Sequence, residues 1–107
     1  GENVWIDNLA PVVMENHVCL SQGAYLLTGS HNYKRKHFDL ITKGIHLESG
    51  VWIGAKSIVG PGVRCGSHSV LALGSVATRD LKPFTIYQGN PAKKKRSRHI
   101  ARSPQVI

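Results

Sequence analysis

Leu47-Glu48-Ser49-Gly50-Val51-Trp52, Ile53-Gly54-Ala55-Lys56-Ser57-Ile58, Val59-Gly60-Pro61-Gly62-Val63-Arg64, Cys65-Gly66-Ser67-His68-Ser69-Val70 and Leu71-Ala72-Leu73-Gly74-Ser75-Val76 are five consecutive units of six. Each opens on an apolar residue. The second place holds Glu48, Gly54, Gly60, Gly66 and Ala72, and the fifth holds only small or β-branched residues. A period of six is neither the 3.6 of a helix nor the 2 of an ordinary strand; it is the signature of a repeat architecture. The physical reading is a coil with flat sides, each side one short strand and one corner. The opening aliphatic points inward and stacks on its equivalents in neighbouring coils. The small second residue is expected to let the chain turn, glycine doing so at least steric cost, and the fifth residue also faces the crowded interior. Three sides make a coil of about 18 residues, with coils stacked at strand spacing, roughly 4.8 Å, and each touching only its neighbours. A β-sandwich with evenly spaced turns is the plainer alternative, and five units in unbroken register argue against it.

Working outward, the pattern continues toward the N-terminus through Met14-Glu15-Asn16-His17-Val18-Cys19 and Leu20-Ser21-Gln22-Gly23-Ala24-Tyr25. Ile6 stands eight residues before Met14, which predicts a two-residue bulge near Pro11–Val13, and Glu15 at a second place predicts a looser corner. The opening Gly1-Glu2-Asn3-Val4-Trp5 reads as mid-repeat, so further coils or a cap are expected ahead of it. From His31 to Gly44 the period fails. The segment is polar, charged and partly aromatic, and an excursion of this length in a strict solenoid reads as functional. After Asp80 the sixes end; Leu81–Ala92 reads as a last extended segment and turn, Lys93–Arg102 as a short helix, and residues 103–107 as a frayed end. The expected organisation is a β-helix domain over 1–92 and a basic tail over 93–107.

The net charge of +8 is uneven: residues 1–80 carry seven Lys or Arg and all six acids, whereas residues 81–107 carry seven basic residues and no acid. Such a segment suits a phosphate, a nucleic acid or an acidic surface. Two cysteines, Cys19 and Cys65, make no disulfide scaffold and lack zinc-site spacing; Cys65 reads as a small core residue. A cytoplasmic protein fits best. No run approaches the length of a membrane span. Of the histidines, His17 and His68 fall at solvent-facing fourth places, His37 and His31 in the excursion, His46 before Leu47 and His99 in the basic segment. His31, where the coil breaks, is either a surface histidine or a base, since imidazole titrates near neutrality.

Trp5-Ile6-Asp7-Asn8, Leu20-Ser21-Gln22-Gly23, Thr28-Gly29-Ser30-His31, Val51-Trp52-Ile53-Gly54-Ala55 and Gly89-Asn90-Pro91-Ala92-Lys93 resemble the hexapeptide-repeat acyltransferases, in particular the colanic-acid-type and the maltose/galactoside-type O-acetyltransferases. The resemblance runs from about Val4 to Arg96. It implies an all-β, left-handed parallel β-helix, a handedness opposite to the usual crossover rule, with an extruded loop at about 31–44 that reaches a neighbouring subunit in a homotrimer. It implies acetyl-CoA as cosubstrate, a sugar-type acceptor and no metal. His31 matches the catalytic histidine. Ser30 intervenes between Thr-Gly and the histidine, as in the colanic-acid-type branch. Trp52, Asp7, Asn8 and His37 are the acceptor-side candidates. Gly54, Ala55, Leu73, Thr78 and Arg79 are expected along the pantetheine path, the Gly54 main chain bonding it. Lys93 and Arg96 are expected at the phosphates, arginine with its bidentate fork.

Two other classes compete. A non-catalytic β-helix, such as a carbonic-anhydrase-like scaffold, would need three zinc-ligating histidines for activity, and His31, His37 and His46 do not fall at equivalent places on adjacent coils. A nucleic-acid-binding protein would use Lys93-Lys94-Lys95-Arg96, but that run has no aromatic interleaving.

Overall fold

The computed structural model describes residues 1–101 as fourteen short strands with no helix among them. In chain order they are β1 (Trp5–Asp7), β2 (Val12–Met14), β3 (Cys19–Leu20), β4 (Tyr25–Leu27), β5 (Gly29–His31), β6 (Leu40–Thr42), β7 (Ile45–Leu47), β8 (Trp52–Ile53), β9 (Ile58–Val59), β10 (Arg64–Cys65), β11 (Val70–Leu71), β12 (Val76–Ala77), β13 (Thr85–Gly89) and β14 (Ala92–Ser97). Three parallel sheets form the sides of a prism: β1-β4-β9-β12, β2-β7-β10, and β3-β8-β11-β13, the last extended by antiparallel β14. Register stacks like on like. Ile6, Leu26, Val59 and Ala77 form one inward column. Met14, Leu47, Cys65 and Leu81 form the second, and Leu20, Ile53, Leu71 and Tyr87 the third. From the second member of each column onward these residues are buried, together with the fifth-place residues Val51, Ser57, Val63, Ser69 and Ser75, whereas at the open first coil Ile6 and Met14 are exposed and Leu20 is half-buried. The hexad register therefore holds over four coils, and the closed core fills all but the first of them.

The corners work differently from the sequence expectation. The residue that turns the chain is the fourth of each unit, not the second. Asn3, His17, Gly23, Gly50, Lys56, Gly62, His68 and Gly74 all have φ between 55° and 77°. Half of them carry a side chain, because short outward turns tolerate left-handed residues where no neighbour crowds the Cβ. The second place is small for another reason, the closeness of the next coil. A Cβ on Gly54 would lie 2.6 Å from the Leu73 nitrogen and 2.7 Å from the Leu71 oxygen, and one on Gly66 would lie 2.7 Å from the Pro83 ring.

Three irregularities bear on function. The extra residues of the first coil sit at Asn8–Pro11, ahead of the expected bulge, because Val12–Met14 is already in register with β7. Buried Thr28 holds this bulge, its hydroxyl donating to the Asp7 carbonyl (2.7 Å) and accepting from the Ala10 N–H (3.1 Å). In the last coil the path from Ala77 to Leu81 is two residues short of a hexad, and the Asp80 carboxylate fills the gap by accepting the Arg64 N–H at 2.8 Å. The Glu15 corner is not loose: its carboxylate accepts from His46 at 2.6 Å and from Ser49 at 3.3 Å. Finally, Lys93–Ser97 is not a helix. It pairs with β13 across the Gly89–Ala92 turn, with a bulge opposite Ile86/Tyr87. The Arg98 guanidinium clamps the strand's end, donating to the Gly50 and His68 carbonyls at 3.0 and 3.2 Å. The frayed end expected at 103–107 lies outside the described residues.

Candidate active site

The excursion between β4 and β7 is a β-hairpin. β5 and β6 pair antiparallel, with Gly29 opposite Thr42 and His31 opposite Leu40. Its tip is ordered by its own main chain: Asn32 N–H to Asp39 O at 2.8 Å, Arg35 N–H to Asn32 O at 3.1 Å, and Phe38 N–H to Arg35 O at 3.0 Å. Phe38, at φ 53°, folds back over His31. The two rings stack at 4.3 Å between centroids and 16° between planes, and the Phe38 carbonyl lies 3.0 Å from His31 Nδ1. A carbonyl only accepts, so in the neutral ring this contact favours hydrogen on Nδ1 and leaves the Nε2 lone pair free. Nothing in the sequence pattern marked Phe38 for this part, because the contact crosses the hairpin and follows no repeat. Asp7 reaches toward the same hairpin. Its Oδ2 lies 3.3 Å from where a Gly29 Cβ would stand, so Gly29 makes room for the carboxylate beside β5.

The other sequence candidates gather in two clefts further along the prism. The larger, about 440 Å³, runs along one corner from the second coil to the fourth and is lined by Ser21, Gln22, Trp52, Gly54, Ala55, Val70, Leu71, Ala72, Leu73, Ile86 and Arg96. Its floor follows from register, which aligns Trp52, Val70 and Ile86 on successive coils. The Trp52 indole N–H donates to Ser21 Oγ at 2.9 Å, fixing the ring across the groove; the motif that contains Ser21 suggests no such part for it, because its partner is one coil away. Leu73 is 78% exposed at the rim, an apolar edge with no protein cover. The Gly54 N–H is committed to the Leu71 carbonyl at 2.8 Å and its carbonyl accepts the Ser57 N–H at 3.2 Å, so the main chain expected to bond a ligand is engaged within the coil stack. The second cleft, about 360 Å³, is lined by Thr78, Arg79, Pro91, Ala92 and Lys93. β14 separates the two, with Lys93 facing one and Arg96 the other.

Asn8 lines a different hollow with Ile6, Leu9 and Met14 at the first coil. His37 is exposed on the hairpin tip. The cleft that holds Trp52 does not include His31. Electrostatics elsewhere are structural. The imidazole of His46 holds Glu15 below the ordinary carboxylate range, chiefly by hydrogen bonding. The Arg64 guanidinium, helped by the Ser67 N–H, does the same for Glu48. Burial pushes the Cys65 thiol up to about 12, which makes it an inert core group.

No protein-family model matches the chain. Among curated proteins, it is 31% identical over 92 residues to a protein of Escherichia coli named as a colanic acid biosynthesis acetyltransferase, WcaF, covering 86% of this chain and 50% of that one. It is 34% identical over 88 residues to a galactoside O-acetyltransferase of Lactococcus lactis, covering 79% and 42%. It superposes on a hexapeptide-repeat acetyltransferase of Vibrio cholerae complexed with acetyl coenzyme A at a TM-score of 0.84 and 36% identity, covering 89% of this chain and 54% of that one. A galactoside acetyltransferase in complex with coenzyme A gives a TM-score of 0.82 at 27% identity, covering 88% and 48%. The chain spans about half the length of the relatives it matches. It is a relative of the hexapeptide-repeat acetyltransferases of the colanic-acid and galactoside types, and it shares their left-handed β-helix.

Proposed function

We propose that this chain is the β-helix portion of an acetyl-CoA-dependent O-acetyltransferase whose acceptor is a hydroxyl of a sugar or polysaccharide precursor. The observation that carries the reading is the corner groove of Trp52, Gly54, Ala55 and Leu73, closed at its far end by the basic strand β14. A pantetheine arm fits such a narrow, largely apolar trough. Lys93 and Arg96 on the flanks of β14 suit the phosphates of coenzyme A, with Thr78 and Arg79 beside Lys93. The acetyl-CoA in the Vibrio relative's complex supports the same assignment.

In the proposed chemistry, His31 Nε2 takes the acceptor proton as the hydroxyl oxygen attacks the thioester carbonyl. The tetrahedral intermediate collapses, the C–S bond breaks, and the thiolate leaves with the proton returned by the imidazolium. No acyl-enzyme is needed, since both substrates meet directly. Asp7 and Asn8 are assigned to the acceptor side. Because His31 and the Trp52 groove occupy different regions of one chain, the reaction calls for the hairpin of one copy over the groove of the next. A parallel homotrimer with its axis near the helix axes supplies that arrangement. A cytoplasmic setting fits the two free thiols, Cys19 and Cys65.

The test uses the complete protein. His31→Ala should lower turnover by about 10²–10⁴ and leave coenzyme A affinity intact. Near-normal turnover in a folded His31→Ala oligomer would discard His31 as the base. Lys93→Ala with Arg96→Ala should weaken coenzyme A binding about tenfold or more, the worth of a charge-assisted hydrogen bond, and most strongly at low salt. Unchanged coenzyme A affinity, with tight oligonucleotide binding by the parent, would favour a nucleic-acid role for β14 instead.

A further inference from the structure

The hairpin that carries His31 also carries the densest unpaired positive charge outside β14. Lys34, Arg35, Lys36 and His37 follow one another at its tip, every one of them exposed. The single acid there, Asp39, is taken by Arg35 at 3.3 Å. That leaves Lys34 and Lys36 without a carboxylate partner among the described residues. Their position relative to the base is set by the fold. Lys34 lies three residues beyond His31, a chain reach of at most about 10 Å, and Lys36 lies two residues before the Phe38 that stacks on it. The Lys34 N–H bonds Asn32 Oδ1 at 3.2 Å, so the tip is built rather than loose. Tyr33, 78% exposed, adds an uncovered aromatic ring of the kind that stacks on a sugar face.

A second copy of this chain is poorly suited to neutralise the tip. Of its six acids, Glu15, Asp39 and Glu48 are already in ion pairs, and Asp80 is spent on the Arg64 N–H. Only Glu2 and Asp7 remain uncommitted among the described residues, and Asp7 sits beside Gly29 of the hairpin's own first strand. The charge is better matched by a ligand that brings its own anion.

We propose that the acceptor is an anionic saccharide, bearing a carboxylate or a phosphate near the acetylated hydroxyl, and that Lys34 and Lys36 read that group while Tyr33 supports the ring. The inference rests on the acetyltransferase reading above and narrows its acceptor class. Fixed cations a short distance from the base recruit and orient such a substrate by long-range attraction, and they discriminate against a neutral analogue that leaves them unpaired.

The experiment compares kcat/KM of the complete enzyme, with acetyl-CoA, for matched acceptors: a neutral oligosaccharide, the same oligosaccharide ending in a uronic acid, and a sugar phosphate. We expect a charged acceptor to be preferred, whichever of the two anions it carries, with a preference that shrinks as salt rises. In Lys34→Ala/Lys36→Ala the anionic-to-neutral ratio should fall about tenfold through KM, with the KM for acetyl-CoA unmoved, and Lys34→Arg/Lys36→Arg should restore the ratio. Preference for the neutral acceptor, or a double variant that changes the acetyl-CoA KM instead, overturns the proposal while leaving the acetyltransferase reading in place. Absence of acetyl transfer to all three acceptors by an enzyme that also fails to bind acetyl-CoA overturns both.

Discussion

Ser57 and Ser69 hold equivalent fifth places in their hexads, both buried, yet opposite consequences follow from removing their hydroxyls. Ser57 Oγ donates to the Ala72 carbonyl at 2.8 Å and accepts the Ser75 N–H at 3.2 Å, knitting two coils together. Ser57→Ala should therefore cost about 1–2 kcal/mol. Ser69 Oγ is buried with no hydrogen-bond partner among the described residues, so Ser69→Ala removes an uncompensated polar group and should be neutral or stabilising by up to about 1 kcal/mol. Urea denaturation of the two variants checks the pair; equal losses would mean that the hydroxyls are not distinguished by their partners. Gly54→Ala should be costlier, roughly 1–3 kcal/mol as for other overpacked sites, because the new Cβ meets backbone at 2.6 Å rather than a side chain that can rotate away. That these places face inward was legible from spacing alone. Their hydrogen-bond partners were not, since each comes from a neighbouring coil whose offset depends on the backbone path.

The strands of the prism were legible because each hexad repeats one chemistry; the two antiparallel elements were not. Lys93–Arg102 suggests a helix in sequence because Lys-Lys-Lys-Arg is a run of good helix formers with no alternating pattern, yet its first part lies in β14. It is a strand because β13 leaves an open edge for it, and lysines along such an edge deter further pairing. The β5–β6 hairpin announced itself only as a failure of the period, and its geometry comes from a stack between residues seven apart. That stack yields a prediction. Phe38→Leu keeps the carbonyl that holds His31 Nδ1 and removes the aromatic face, worth about 0.5–1.5 kcal/mol. Turnover should fall up to about tenfold, with coenzyme A binding unchanged by calorimetry. A wild-type rate would mean that the carbonyl alone fixes the imidazole.

At the scale of the molecule, one face of the prism is a ladder of charge. Glu48 accepts Arg64 Nε at 2.8 Å and the Ser67 N–H at 2.8 Å, and Arg64 Nη1 approaches His46 Nδ1 at 3.4 Å. Glu48 and Glu15 titrate below the reference value of 4.5 in the folded chain. Their contribution to stability is complete above 4.5 and is lost as pH falls from there through the lower folded values. The urea midpoint of Glu48→Gln should thus trail the wild type near neutrality and converge with it in acid; a gap independent of pH would show that the ladder is electrostatically idle. Light scattering of the complete protein at micromolar concentration should give a trimer, and a monomer would remove the second copy on which the proposed site depends. The three-sided stack has one more consequence, for how such chains can change length. Each hexad advances the path by a third of a revolution and about 1.6 Å, a third of the strand spacing. One inserted hexad would therefore rotate everything downstream onto the wrong face, swinging β14 away from the Trp52 groove. Three inserted together would return every side to its place one coil higher. Beyond local adjustments of a residue or two, as at Asn8–Pro11 and Ala77–Leu81, length in this protein is quantised in whole turns wherever the interior must stay continuous, and free where the chain leaves the prism, as it does between His31 and Gly44.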